Sequence, residues 1–291
     1  MSDTTKPKRY RMVSKFYKEK YGEKVYKLPV ALPLTCPNRD GSAGTGGCVF
    51  CGEIGAGYEN RPAWMTVQQQ LEENIAHIAP KYKAYKYIPY YQNFSNTYLP
   101  LEDFKAYMEA GCIESAVGLA IATRPDCISN EYLDVLKEIQ DTYHKDIYIE
   151  LGLQTVNYHT LKTINRGHSM AELIDAVLRI KRYGFNVTVH MILNLPWDTM
   201  EDTIEGAKTL SALGVDQVKL HALYIVKNTL MAKWFQEGQF QLISAEEYAE
   251  RVIAFVRHLH PDIVLQRLVG RAPEENTLFT NGSMGWWRVQ D

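Results

Sequence analysis

The 291-residue chain is 46% hydrophobic and 23% charged, with a formal net charge of -2, which suits one α/β barrel-type domain or two small ones. No apolar run approaches the roughly 18–20 residues that span a bilayer. The polar, basic start lacks a signal-peptide core, and five cysteines, three of them clustered, do not make a secreted disulfide framework; the expected setting is the cytoplasm, with no membrane partner and with thiolates reduced and free for metal.

Charge is uneven along the chain. Residues 1–27 hold nine Lys and Arg against Asp3, Glu19 and Glu23. Interleaved with Tyr10, Phe16, Tyr17, Tyr21 and Tyr26, this extension reads either as a grip on a phosphate backbone with stacked bases or as a solvated terminus. Lys27–Leu34 reads as a short strand running into Cys36, a reading weakened by two prolines. Next come Cys36, Cys48 and Cys51, spaced C-x11-C-x2-C. Two thiolates two residues apart reach one centre from a tight turn. Gly41, Gly44, Gly46 and Gly47 let the longer gap fold back so that Cys36 joins them. Three soft ligands leave two centres open: zinc borrowing a histidine, or an iron–sulfur cluster with one free iron.

Helices and strands then alternate. Thr66-Val-Gln-Gln69 has capping-box form and opens a helix carried by Val67, Leu71, Ile75 and Ile78 to about Ala79. Lys81–Pro100 is dense in Tyr and Lys; its centre, Tyr87–Gln92, reads as a strand that ends in Asn93, Ser95, Asn96 and Thr97. A helix over Leu101–Ala110 and a strand over Ala116–Ala122 lead to Thr123-Arg124-Pro125-Asp126, where Asp126 is a candidate cap for the next helix. That helix, over Glu131–Gln140, precedes a strand, Asp146–Thr155, that carries Glu150 and Gln154. Ser169-Met-Ala-Glu172 is a second capping box, and its helix closes at Gly184. Further strands are expected at Asn186–Pro196, Val215–Val226 and Ile263–Leu268, with helices at Thr199–Leu213 and from Ser244 to about His258. Such alternation predicts parallel strands with right-handed crossovers and no second domain. In barrels of this kind the chemistry gathers where strands end, and every polar cluster above lies there.

Phe50 before the third cysteine, TRPD (123–126), ELGLQT (150–155), INRGH (164–168) and HMILNLPWDT (190–199) together resemble the radical S-adenosylmethionine (radical SAM) superfamily, and within it the radical SAM domain of the Elongator catalytic subunit. The superfamily more often carries C-x3-C-x2-C; a longer first gap is shared by the Elongator-like branch. The likeness runs from about residue 28 to about residue 270, and the acetyltransferase-like domain of the Elongator subunit has no counterpart. It implies an α/β fold, a partial (β/α)6 TIM-type barrel over 28–270, with an N-terminal extension over 1–27 and a tail over 271–291 packed on the barrel. It also implies an enzyme in which Cys36, Cys48 and Cys51 hold a [4Fe–4S] cluster whose fourth iron binds S-adenosylmethionine (SAM). An electron donor such as flavodoxin or ferredoxin would reduce the cluster and generate a 5′-deoxyadenosyl radical.

For SAM itself, the Gly-Gly-Glu usual in the family is replaced by Asn93-Phe94-Ser95-Asn96, so the amino group is expected on Ser95 or Asn96. Arg124 is expected to pair the carboxylate, Glu150 or Gln154 the ribose, and backbone near Tyr224–Val226 the adenine. The substrate the resemblance implies is tRNA, at the C5 side chain of a wobble uridine, for example 5-carboxymethylaminomethyl-uridine trimmed to 5-aminomethyl-uridine. The basic extension and the Lys81, Lys83, Lys86 cluster among Tyr82, Tyr85, Tyr87, Tyr90 and Tyr91 are the candidate RNA grip; the near-neutral whole-chain charge weighs against it. Alternatives are a radical SAM enzyme acting on a small biosynthetic molecule, such as a porphyrin-type intermediate, and a non-catalytic zinc protein. His190 and His221 read either as satisfied core histidines or as substrate contacts, Cys112 and Cys127 as core or peripheral thiols, and Trp286-Trp287 as a hydrophobic plug or a stacking platform.

Overall fold

In a computed structural model, which describes residues 10–53, 55, 57, 59–270 and 274–280, the strands are β1 (Arg11–Met12), β2 (Val25–Val30), β3 (Lys86–Tyr91), β4 (Gly118–Thr123), β5 (Asp146–Gln154), β6 (Asn186–Ile192), β7 (Gln217–His221), β8 (Tyr224–Val226), β9 (Val264–Arg267) and β10 (Thr277–Thr280). Between them lie α1 (Val13–Tyr21), α2 (Val67–Tyr82), α3 (Leu101–Ala110), α4 (Asn130–Tyr143), α5 (Tyr158–Thr163), α6 (Met170–Arg182), α7 (Met200–Ala212), α8 (Leu230–Gln236) and α9 (Ala245–His258). Eight strands form one sheet in the order β1-β9-β7-β6-β5-β4-β3-β2, every neighbour parallel. Strands β2 to β7 are the six of the expected partial barrel, each beside its neighbour in sequence. β9 and β1 extend it past β7.

Local sequence explains the element boundaries. Thr66, Ser169, Thr199 and Ser244 each close a reciprocal capping box, satisfying two otherwise orphan N–H groups at the start of α2, α6, α7 and α9. The run expected as one strand over Val215–Val226 breaks at Ala222-Leu223, because Asn194 accepts the Leu223 N–H at 2.5 Å and turns the chain out of the sheet. β8 then pairs antiparallel with β10. Period-two alternation sorts the side chains. Leu119, Ile121, Ile149, Leu151, Val187 and Val189 face the helices in the main core, while Tyr90, Ala122, Glu150, His190 and Lys219 face the barrel interior and line its cavity.

Residues 10–27 are not a free arm. α1 caps the N-terminal end of the barrel, with Tyr17 buried edge-on against Tyr148 (centroids 5.9 Å apart) and Tyr21 hydroxyl 2.5 Å from both Tyr148 Oη and Asp146 Oδ2. Of the aromatics that suggested base stacking, Phe16, Tyr17 and Tyr21 lie on this helix, and Tyr26 lies in β2. The Lys81–Tyr91 cluster meets the same correction. Tyr87, Tyr90 and Tyr91 are buried, Tyr82 stacks on Tyr26 at 4.6 Å, and only Tyr85 of the five stands exposed. Lys81 lies in the last turn of α2, Lys83 caps it and Lys86 opens β3, at the end of the barrel opposite the strand C-termini. Lys6, Lys8, Arg9 and Trp286-Trp287 lie outside the described residues, as does most of the 271–291 tail.

Candidate functional site

The three cysteines line one cavity at the C-terminal ends of the strands, with about 270 Å³ of open space. Cys48 and Cys51 share a tight turn, closed by Cys51 N–H donating to Cys48 O at 2.9 Å. Cys36 opens a separate turn closed by Arg39 N–H at 2.8 Å. What fixes these two turns together is Ile164–His168. Asn165 donates to the carbonyls of Thr45 (3.0 Å) and Gly47 (2.8 Å), Asn38 donates to Asn165 O at 2.6 Å, and Val49 N–H reaches Ile164 O at 3.1 Å. Gly167 has φ +74°, and a Cβ there would fall 3.0 Å from Asn38 Oδ1 and 3.1 Å from Arg124 Nη2. That left-handed backbone and this tight fit both favour glycine.

Each sulfur has its own donor. Ser95 Oγ donates to Cys36 Sγ at 3.5 Å, Arg39 Nη2 to Cys51 Sγ at 3.4 Å, and Cys48 Sγ receives Arg166 Nη1 at 3.3 Å and Asn38 Nδ2 at 3.7 Å. Hydrogen bonds and positive charge beside the sulfurs stabilise thiolate and tune a cluster's potential. Arg39 and Arg166 were invisible as site residues in the sequence; the INRGH motif held the one available signal for Arg166.

The expected SAM contacts divide. Ser95 lines the cavity, but its hydroxyl serves Cys36. Asn96 is fully buried and does not line the cavity; its amide donates to the carbonyls of Tyr91, Asn93 and Ala122, tying strand ends together. Asn93 likewise bridges the N–H and carbonyl of Leu32. Arg124 does line the cavity. Asp126, which does not cap a helix, takes its Nε and Nη2 at 2.9 and 2.7 Å, holding the guanidinium charged despite burial. Its Nη1 is buried without a partner among the described residues. Gln154 also faces the cavity, from a non-glycine φ of +83° beside a register shift in the β5–β6 pairing. Such a bulge re-aims a side chain at a strand end. Tyr224 and Val226 form part of the wall. Cys112 and Cys127 do not line it; burial pushes their thiols up to about 11 and about 12.

Glu150 sits deeper, at the cavity floor, as the centre of a buried charge cluster. It accepts from Lys27, from His190 Nε2 at 2.7 Å, from Lys219 at 3.4 Å and from Gln266 at 3.2 Å. Burial pushes its carboxyl up, but Lys219 and Lys27 win and hold it well below the usual range. Burial brings Lys219 down to about 7 and His190 to about 4. His190 therefore touches Glu150 and stacks near His221 at 5.1 Å, in the cavity wall. Lys27, counted with the basic extension from sequence, belongs to this floor.

A [4Fe–4S] cluster with SAM fits these residues. Among the described residues no three His, Cys, Asp or Glu side chains are gathered closely enough to share one ion. One zinc needs its ligands around a single point at about 2.0–2.3 Å, whereas a cluster takes each thiolate on a different iron. The unpartnered Arg124 Nη1 beside that rim is suited to a carboxylate. Bound there, the pair supplies one-electron chemistry that takes hydrogen from an unactivated carbon. The chain's part is to hold Cys36, Cys48 and Cys51, stabilise their charge and shelter the reacting atoms.

Comparisons with known proteins agree. The family model described as the radical SAM superfamily matches residues 40–210, and the radical SAM C-terminal domain matches residues 215–291. The uncharacterised protein YtqA of Bacillus subtilis is 33% identical over 285 residues, covering 97% of this chain and 87% of its own. A tRNA uridine(34) acetyltransferase of Methanocaldococcus infernus is 27% identical over 148 residues, 50% of this chain and 27% of its own. Among solved structures, the archaeal Elp3 of Methanocaldococcus infernus superposes with a TM-score of 0.66 at 18% identity, over 87% of this chain and 58% of that one, a likeness of fold. No helix among the described residues is long and apolar enough to cross a membrane. With its cysteine-lined cavity at the mouth of a parallel half-barrel and these matches, the chain belongs to the radical SAM superfamily and is an enzyme whose cofactors are a [4Fe–4S] cluster and SAM.

Proposed function

We propose that this enzyme remodels the C5 substituent of a wobble uridine in tRNA, with trimming of 5-carboxymethylaminomethyl-uridine to 5-aminomethyl-uridine as the specific reaction. The observation that carries the reading is the likeness of half the chain to a protein named tRNA uridine(34) acetyltransferase. Exposed aromatics that follow strand C-termini, Trp64 at 82% before α2 and Tyr158 at 59% at the start of α5, offer stacking surfaces on the mouth side. Within the site, Arg124 Nη1 takes the SAM carboxylate, Gln154 the ribose and the Tyr224–Val226 backbone the adenine. Ser95 acts through Cys36, Glu150 organises the floor, and a flavodoxin or ferredoxin reduces the cluster. Comparing modified nucleosides in tRNA from cells with and without the gene tests the reading; an unchanged profile removes it.

One observation favours a small-molecule substrate instead. Among the described residues, α1 and Lys81–Lys86, the basic, aromatic-rich parts that suggested an RNA grip, lie at the closed end of the barrel, away from the mouth. Filter binding of tRNA over a salt series separates the two, because phosphate contacts make affinity fall steeply with salt.

A further inference from the structure

The rim and the floor of the cavity differ in charge balance. At the rim, Arg39 and Arg166 hydrogen-bond to cysteine sulfurs and Arg124 is paired with Asp126. At the floor, the cations Lys27 and Arg267 and the partly charged Lys219 face one carboxylate, Glu150, which already accepts from both lysines. Arg267 has no carboxylate partner among the described residues. Its Nη2 donates to His221 Nδ1 at 2.6 Å, and its Nε lies 3.4 Å from Leu220 O. Burial and the adjacent guanidinium keep His221 neutral, and Arg267 Nη2 lies against both of its ring nitrogens, 2.6 Å from Nδ1 and 3.2 Å from Nε2. Gly270 completes the cradle, since a Cβ there would fall 3.0 Å from Arg267 Nη2. A half-buried guanidinium facing a cavity with no anion beside it is costly unless a ligand supplies the missing charge.

We propose that this floor is an anion pocket that takes a carboxylate carried by the substrate, with Arg267 as its principal contact, held in place by the His221 ring and supported by Lys219. On the uridine reading, on which the identity of the molecule rests, that carboxylate is the one at the end of the carboxymethylaminomethyl group. The pocket then selects acidic over amine side chains and points the linking carbons toward the rim.

The test uses the cluster-loaded enzyme with SAM and no reductant, so that binding is read without turnover. Filter binding compares tRNA bearing 5-carboxymethylaminomethyl-uridine with tRNA bearing 5-aminomethyl-uridine, for the native enzyme, Arg267→Gln and Arg267→Lys. A charge-assisted hydrogen bond predicts a preference of about tenfold for the acid, lost in Arg267→Gln and largely kept in Arg267→Lys, with the amine form bound alike by all three. Equal binding of the two tRNAs by the native enzyme overturns the pocket while leaving the tRNA reading standing. Equilibrium dialysis of SAM gives the second arm: a SAM affinity that falls in Arg267→Gln with no change in tRNA preference assigns the carboxylate to SAM, which also overturns it. If neither tRNA binds, the tRNA reading falls. The free nucleosides then decide the pocket by thermal shift, where stabilisation by the acid alone, lost in Arg267→Gln, upholds it and an equal response overturns it.

Discussion

Glu150→Gln is the most informative single change in this protein. Glu150 is 1% exposed and is the floor's one carboxylate, bonded to Lys27, His190, Lys219 and Gln266. The amide keeps the shape and removes the charge, leaving two buried lysines and a half-buried arginine facing one another. Breaking a buried ion pair from one side costs about 3–5 kcal/mol, a large part of the roughly 5–15 kcal/mol that holds a domain folded. An unfolding entropy of about 2.1 cal/mol/K per residue over 291 residues makes 1 kcal/mol worth about 1.6 °C. The melting temperature should therefore fall by roughly 5–8 °C in differential scanning calorimetry at pH 7. The same change should cost less in a Lys27→Met background, because one stranded cation is already gone. A fall of less than about 1 °C, or equal costs in both backgrounds, would refute the claim that the floor is a coupled, water-excluded cluster.

Three further outcomes are expected. Tyr17→Ala should destabilise the protein by about 3–5 kcal/mol in chemical denaturation, since it empties the closed end of the barrel; a cost under about 1 kcal/mol would return residues 10–21 to the status of a loose arm. Arg166→Gln should lower the midpoint potential of the reconstituted cluster by roughly 60 mV, the tenfold equivalent of a one-electron couple, because a positive donor 3.3 Å from Cys48 Sγ favours the more negative, reduced state; an EPR-monitored titration showing no fall would count against that contact. Stability should also drop steeply in mild acid. Burial holds His168 down to about 3, His190 to about 4 and His221 well below its usual value, so what each contributes is present above about 6.5 and lost as pH falls toward the folded values. Asp198, pushed up by burial to about 6, works the other way, its contribution present at low pH and lost as pH rises through 6. Three protons against one leave the unfolded chain binding about two more between pH 4.5 and 6, a slope of about 3 kcal/mol per pH unit. Urea titrations at pH 4.5, 5.2 and 6 measure it, and His168→Asn should remove one proton's worth; a flat profile would show these histidines titrating normally.

The sequence announced the alternating elements because four capping boxes and the period-two strands are local signals. It announced the cysteines because their spacing and glycines are local too. What stayed hidden depends on pairing between distant residues. Nothing near Lys27 marks it as the partner of Glu150, 123 positions away, and a lysine among other lysines looks like surface. Tyr17 and Tyr90 looked like stacking residues because an aromatic pattern does not say whether it faces RNA or a barrel interior. Asn96 and Ser95 stand at the strand end expected for a cofactor contact; Asn96 donates to backbone carbonyls away from the cavity, while Ser95 lines the cavity and donates to Cys36 Sγ. Arg39 and Arg166 became site residues only once the fold brought Ile164–His168 against the cysteine loop.

The pairing of β1 with β9 has a consequence for how the molecule is made. Arg11 meets Val264 and Met12 meets Leu265 in the sheet, so the first strand to leave the ribosome waits for nearly the last. Contacts of such sequence separation close late and slowly. Until then α1 has Tyr148 and Asp146 to rest on but no β9 beside it, the closed end stays open to water, and Lys27 and Glu150 remain hydrated at little cost. Sealing that end is therefore the step at which the floor's charges are stripped of water, and a chain stopped short of Val264 would be left with its α/β layers formed and its interior wet.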